Sequence, residues 1–184
     1  KDTLISRREF LKDIGMIGAG VLLSASPWLS AFSEVVETSG EKCRLAIIGP
    51  GSRGRFLMSF LVQNPKVEIV ALCDIYQPSI EKALELAPKA KVYDDYRKIL
   101  EDKTVDAVLV ATPLNSHCQI VLDAFDAGKH VFCEKSIGFT MEECFRIYSK
   151  HISTGKIFFT GQQRLFDPRY IKVMEMVHAG TFGE

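Results

Sequence analysis

From residue 43 onward, short apolar runs rich in β-branched residues alternate with segments of mixed polarity. Six of these runs read as strands: 44–48, 67–73, 91–93, 105–111, 130–134 and 156–161. Their apolar residues run almost unbroken instead of alternating with polar ones, which marks strands covered on both faces. The segments between them read as helices. One spans 55–62 and another 78–86, with Pro78 in its first turn. A third spans 94–100 and opens on two acids, and a fourth starts at Asn115 or Ser116, either of which is a candidate cap, and ends before Gly128. Thr140-Met141-Glu142-Glu143 has the form of a capping box, and Asp167-Pro168 opens a last helix to about His178. Strand and helix alternating at this spacing predict an α/β fold, a Rossmann-like doubly wound parallel sheet. In such a sheet ligands bind at the carboxyl ends of the strands. Asp74, 112–117, Glu134-Lys135 and 162–164 all fall at such ends.

The first strand runs into Gly49-Pro50-Gly51-Ser52-Arg53-Gly54, a G-x-G-x-x-G loop followed by a helix. Each glycine has a reason in a dinucleotide site: Gly49 for the tight turn, Gly51 for backbone approach to a pyrophosphate, Gly54 for packing of helix on strand. The helix N-terminus offers free N–H groups and partial positive charge to the phosphates. The second strand ends on Asp74, about twenty positions past the last glycine, where a carboxylate accepts hydrogen bonds from ribose hydroxyls. The triplet alone is a weak signal; strand, glycines, helix, strand and acid in this order is a strong one. A carboxylate repels a 2′-phosphate and Ile75, not arginine, follows it, so the site is expected to favour NAD over NADP. Tyr76 and Gln77 are expected near the adenine.

Composition changes this picture little. The 184 residues are 47% hydrophobic and 25% charged, with a net charge of zero, which argues against nucleic acid or an anionic membrane surface as partner. The five cysteines form no C-x-x-C pair and match no metal spacing, so buried free thiols and no metal site are expected. The N-terminus adds more. Ser6-Arg7-Arg8-Glu9-Phe10-Leu11-Lys12 matches the twin-arginine export pattern, and the apolar stretch 14–23 after it is too short to span a bilayer but right for a signal core. Residues 1–33 are therefore expected to be a twin-arginine signal peptide, 34–42 a linker, 43–165 a dinucleotide-binding domain and 166–184 the start of a second domain. The expected partner is the twin-arginine machinery, with a periplasmic or otherwise exported product and no stable membrane span after processing. The chain begins without methionine and stops after Gly183-Glu184, which reads as a piece of a longer protein.

The strand-end motifs together resemble the Gfo/Idh/MocA family, the glucose–fructose oxidoreductases and inositol dehydrogenases. The matching residues are Gly49-x-Gly51-x-Arg53-Gly54, Ala111-Thr112-Pro113 with His117, Lys129-His130-Val131 leading into Glu134-Lys135, and Arg164-x-Phe166-Asp167-Pro168. The resemblance covers about residues 43–184. It implies an NAD(P)-dependent enzyme whose C-terminal α/β domain, absent from this chain, binds a sugar or polyol and pairs protomers into a homo-oligomer. It also implies that Glu134-Lys135-Ser136 stands for the family's E-K-P. Lys135 is thereby the catalytic residue, its ammonium sharing a proton with the substrate hydroxyl beside the nicotinamide. Ser136 departs from the usual proline, which bears on the geometry of that loop. The cofactor-binding set becomes Gly49, Pro50, Gly51, Ser52, Arg53, Gly54, Asp74, Thr112, Pro113, Asn115, His117, Glu134, Lys135 and Arg164. Several alternatives stand beside these roles. His117 either contacts the cofactor or is a capping or surface histidine. Arg53 meets the pyrophosphate, lies across the adenine or is merely solvated, and Arg164 lines the substrate cleft or pairs with Asp167.

Three functions follow. The first is an exported oxidoreductase moving a hydride between NAD(P) and a carbohydrate. The second is an NAD-dependent glycosidase like glycoside hydrolase family 109, which oxidises the sugar transiently, eliminates the glycosidic bond and ends with no net redox change. The third is a non-catalytic dinucleotide-binding module. Residues 34–184 alone are expected to have little activity.

Overall fold

Strand β1 (Cys43–Ile48) takes a central place in a six-stranded sheet in which every pairing is parallel. The structure is a computed structural model and describes residues 42–183. The expected leader, and all of the expected linker but its last residue, lie outside the described residues. The other strands are β2 (Val67–Cys73), β3 (Lys91–Tyr93), β4 (Ala107–Val110), β5 (His130–Cys133) and β6 (Phe158–Thr160). Their order is β3-β2-β1-β4-β5-β6. The chain winds outward from β1 in one direction, returns to β4 and winds in the other, so the switch point lies between β1 and β4.

Five helices connect these strands: α1 (Ser52–Leu61), α2 (Gln77–Leu84), α3 (Tyr96–Glu101), α4 (His117–Asp126) and α5 (Met141–Thr154). Alternate residues along a strand point to opposite faces, and this assigns the core. Leu45 and Ile47 of β1 pack with Met58 of α1 and with Ile80 and Ala83 of α2. Ala46 and Ile48 pack on the other face with Ile99 of α3, Val121 and Phe125 of α4, and Ile147 of α5. Both faces of β1 are therefore covered, which is why its sequence is an unbroken apolar run.

The helix ends follow local chemistry. Pro78 lies in the first turn of α2, and the Asp95 side chain caps α3 by accepting from the Arg97 N–H. Thr140 and Glu143 form a reciprocal capping box on α5, and Gly155 ends that helix at φ +63°. The start of α4 differs from expectation. Leu114–Ser116 forms a 3-10 turn before it, Ser116 occupies the cap position, and its side chain does not cap the helix. The Ser116 hydroxyl instead donates at 2.8 Å to Thr112 Oγ1.

The described chain divides into two compact units after Gly161. In the segment that follows, the 3-10 turn Gln163–Phe166 precedes α6 (Pro168–His178). Asp167 caps α6 by accepting from the Arg169 N–H and pairs with the Arg169 guanidinium at 2.6 Å. Arg164 lies over the Tyr170 ring, 5.7 Å from its centroid. The Asp167 carboxylate is held chiefly by Arg169, with Arg164 a weaker electrostatic neighbour.

Candidate functional site

The strand register brings the carboxyl ends of the sheet into one row. Ile48 pairs with both Cys73 and Val110, Val110 with Cys133, and Cys133 with Thr160. The next residue of each strand continues the ladder. The Gly49 N–H donates to the Cys73 carbonyl, Ala111 to Ile48, Glu134 to Val110 and Gly161 to Cys133. Asp74, Gly49, Ala111, Glu134 and Gly161 therefore stand side by side along one edge, with Lys135 one position beyond Glu134.

The three glycines of the loop behave differently. Gly49 has φ +84°, and a Cβ there would lie 2.8 Å from both Ala111 C and Thr112 N. A Cβ on Gly54 would lie 2.5 Å from the Gly49 carbonyl oxygen. Both are thus glycine because the protein's own backbone passes too close. Gly51 is not so constrained. Its φ is −65°, which any residue adopts, and a Cβ there would meet nothing within 4 Å among the described residues. What Gly51 leaves open is space at the N-terminus of α1. The Arg55 guanidinium fixes the loop from behind, donating through Nη1 to the Pro50 carbonyl at 2.8 Å.

Arg53 projects from the first turn of α1 and donates through Nε to Glu134 Oε1 at 2.7 Å, so the pair bridges from the β1 loop to the end of β5. Its guanidinium also lies 5.2 Å from the centre of the Phe56 ring. It is therefore not merely solvated. Glu134 Oε2 accepts from the Lys135 N–H at 3.3 Å. A Cβ on Gly161 would come within 2.8–2.9 Å of the Glu134 carboxylate atoms, so Gly161 is what lets that carboxylate fit.

His117 is 1% exposed, and its ring sits between two loops. Nε2 lies 2.8 Å from the Thr112 carbonyl oxygen and Nδ1 2.7 Å from that of Ser136. Each nitrogen faces an acceptor, and whichever carries hydrogen donates to it. His117 is neither a surface residue nor a side-chain cap. Its ring belongs to the wall joining the β4 loop to the Lys135 loop. Lys135 and Ser136 are both exposed, and the peptide between them is cis.

Asp74 is half-buried, and its Oδ1 accepts from the Tyr76 N–H at 2.9 Å. Ile75 and Tyr76 beside it are exposed, Ile75 to 98%. Pro113 and Asn115 are exposed after β4, and Thr112 is half-buried. Arg164 belongs to the segment after Gly161 and is exposed.

The cysteines are free, with Cys73, Cys118 and Cys133 buried. Burial, reinforced by Asp95, Asp74 and Asp94, pushes the Cys73 thiol up to about 11. Burial and then Glu134 push Cys133 up to about 12. Neither is a nucleophile near neutral pH, since thiolate is the reactive form.

Sequence reasoning missed three of these features: the Arg55–Pro50 tie, the Arg53–Glu134 pair and the role of Gly161. The signal for Gly161 was a glycine at the first position after a strand, where the register places it beside Glu134.

Residues 43–162 match the model of an oxidoreductase family described as an NAD-binding Rossmann fold. A glycosyl hydrolase family 109 protein of Stenotrophomonas maltophilia is 32% identical over 192 residues, 98% of this chain and 40% of that protein. A myo-inositol 2-dehydrogenase of Thermotoga maritima is 32% identical over 141 residues, 77% of this chain and 42% of that protein. Among solved structures, myo-inositol 2-dehydrogenase from Lactobacillus plantarum superposes with a TM-score of 0.73 at 28% identity. That match covers 78% of this chain and 43% of the other. The chain spans less than half the length of these relatives.

Proposed function

The chain belongs to the Gfo/Idh/MocA oxidoreductase family through its NAD-binding Rossmann fold, and on that premise we propose that the full-length protein moves a hydride between NAD(H) and a sugar, polyol or related carbohydrate. The observation that carries this reading is the open space at Gly51. Nothing within the described protein requires a glycine there, whereas a pyrophosphate lying against the backbone does.

The amides of 49–54 and the N-terminus of α1 would hold the pyrophosphate, with Arg53 beside them. Asp74 would take the ribose hydroxyls of the adenosine half and disfavour a 2′-phosphate. Thr112, Pro113, Asn115 and Glu134 line the strand-end row on the other side of the switch point, where the nicotinamide half would lie. When bound, the nicotinamide supplies the acceptor or donor of the hydride. Lys135 Nζ holds the proton that passes to or from the substrate hydroxyl oxygen. His117 keeps the Lys135 loop in register with the Thr112 loop. We place the remaining substrate contacts, and pairing into a homo-oligomer, in the part of the relatives' length that this chain does not span.

A second reading is favoured by one observation. The family 109 relative matches 98% of this chain, through most of the leader, whereas the inositol dehydrogenase match covers 77%. On this reading the same site oxidises a sugar transiently and the glycosidic bond leaves by elimination. The two readings separate by cofactor demand. Full-length protein given a panel of polyols and aryl glycosides should accumulate NADH in proportion to product if it is a dehydrogenase. Glycoside cleavage on a trace of NAD, with no net NADH, would replace the first reading with the second. No turnover of either class under saturating NAD would contradict both.

Residues 1–33 we assign to twin-arginine export into the periplasm, supported by the Ser6–Lys12 pattern. Arg7→Lys with Arg8→Lys should leave the protein in the cytoplasm; unchanged export would refute the assignment.

A further inference from the structure

We propose that Glu134 and Gly161 are positioning residues for the phosphate site, holding Arg53 as a fixed strut across the switch point. The inference rests on the dinucleotide reading above and adds residues that act through Arg53.

The two partners of this ion pair are unequally buried. The Arg53 side chain is 38% exposed and that of Glu134 only 7%. If Arg53 swung away, water could reach the guanidinium, but the carboxylate would stay behind as a buried charge without its cation. Leaving one member of a buried pair unpaired is strongly unfavourable. On one side the Glu134 carboxylate lies so close to the Gly161 backbone that a Cβ added there would be 2.8–2.9 Å from it, which closes that direction to movement. Its other oxygen is held by the Lys135 N–H. The pair is therefore a strut and not a latch, and Arg53 stays where Glu134 puts it.

The geometry also says which part of Arg53 is left to act. Guanidinium carries five N–H donors, one on Nε and four on the two Nη nitrogens. Glu134 takes Nε at 2.7 Å. That leaves the Nη donors, which form a fork suited to phosphate oxygens. Arg53 lies two residues past Gly51, on the first turn of α1, and its guanidinium reaches the end of β5, on the far side of β4 in the sheet. That path crosses the switch point, where a pyrophosphate lies in a doubly wound sheet. A long side chain that would otherwise lose rotamer freedom on binding is thus ordered beforehand. Gly161, on a different strand and outside every nucleotide motif, enters the phosphate site through Glu134.

The test is NAD affinity by titration calorimetry, on full-length protein, for Glu134→Gln, Gly161→Ala, Arg53→Met and the Glu134→Gln/Arg53→Met double variant. Glu134→Gln and Gly161→Ala should each weaken NAD binding by about tenfold, the scale of one charge-assisted hydrogen bond. In the Arg53→Met background, Glu134→Gln should cause no further loss, because there is no guanidinium left to position. Gly161→Ala acts from another strand, so the inference remains testable if Glu134→Gln folds poorly. Wild-type affinity in both single variants would overturn the inference while leaving the dinucleotide reading intact. So would a Glu134→Gln loss that persists undiminished in the Arg53→Met background. A wild-type protein that binds no dinucleotide would sink both.

Discussion

Nδ1 of His117 lies 2.7 Å from the carbonyl oxygen of Ser136, and this contact ties the first residue of α4 to the loop that carries Lys135. With Nε2 on the Thr112 carbonyl, one buried ring fixes two loops that face each other across the strand ends. His117→Ala would remove the ring nitrogens from both carbonyls and leave a cavity where the buried ring sat. It should lower stability by about 2–4 kcal/mol, seen as a reduced denaturant midpoint, and lower turnover through displacement of Lys135. A variant as stable as wild type would show that the ring does not bridge the loops.

The glycines of the loop should separate by assay. Gly49→Ala and Gly54→Ala place a carbon 2.8 and 2.5 Å from backbone atoms, so both should destabilise the fold. In Gly51→Val the added Cβ meets nothing within 4 Å among the described residues. The variant's stability should stay within about 0.5 kcal/mol of wild type, as for an ordinary surface change, while NAD binding is lost. Thermal melts with and without NAD distinguish the cases. Gly51→Val that unfolds, or that binds NAD normally, would contradict this account.

Asp74→Ser should weaken NAD binding by about tenfold or more, since a charged hydrogen-bond acceptor for the ribose is removed. It should also relieve the repulsion of a 2′-phosphate, so the ratio of NAD to NADP affinity falls. Titration with both nucleotides measures it, and an unchanged ratio would show that the carboxylate does not face the ribose.

Lys135→Met removes the proposed proton carrier and should leave the loop backbone in place. Turnover should fall by about 10²–10⁴, the usual contribution of a positioned acid–base group, with NAD affinity little changed. Activity within a factor of two or so of wild type would move the proton to another residue.

His130 and His151 are both pushed below the ordinary imidazole range, chiefly by burial. His130 Nδ1 accepts from the Ile157 N–H at 3.0 Å and cannot hold a proton without breaking that bond. His151 packs against the Phe125 and Phe158 rings, which also contact each other. The unfolded chain takes up protons at these positions near pH 6.5, before the folded chain does. The contribution of these two histidines to stability should therefore be constant between about pH 7 and pH 8 and decline as pH falls through about 6.5. His151→Phe should flatten part of that decline. Melting temperatures measured from pH 8 to pH 5 test it, and a Tm that rises on acidification would reverse the assignment.

The alternation of core strands and helices was legible because burial on both faces leaves an unbroken apolar run, as in 44–48. The glycine loop was legible for the same kind of reason: Gly49 and Gly54 mark places where backbone meets backbone, and the strand before and helix after fix their context. The contacts that build the site were harder to see. Arg53 and Glu134 are 81 positions apart, and only the register of β4 and β5 brings them together. His117 reads as a cofactor contact or as a capping or surface histidine, and its buried place depends on two carbonyls supplied by separate loops. Ser116 has the right residue type for a cap, but a preceding 3-10 turn and the Thr112 hydroxyl redirect it. Arg164 was assigned by motif alone, and its observed neighbour is Tyr170. Periodicity reports which face is buried. It does not report which polar groups meet.

The most direct test of the central claim is the identity of the nucleotide the protein holds. Full-length protein should be purified, denatured and its released small molecules identified by mass spectrometry, with NAD titrated into any empty fraction. The account predicts NAD, released or bound on titration to one site per chain. NADP in its place would contradict the role given to Asp74, and no nucleotide with no binding on titration would contradict the dinucleotide site itself.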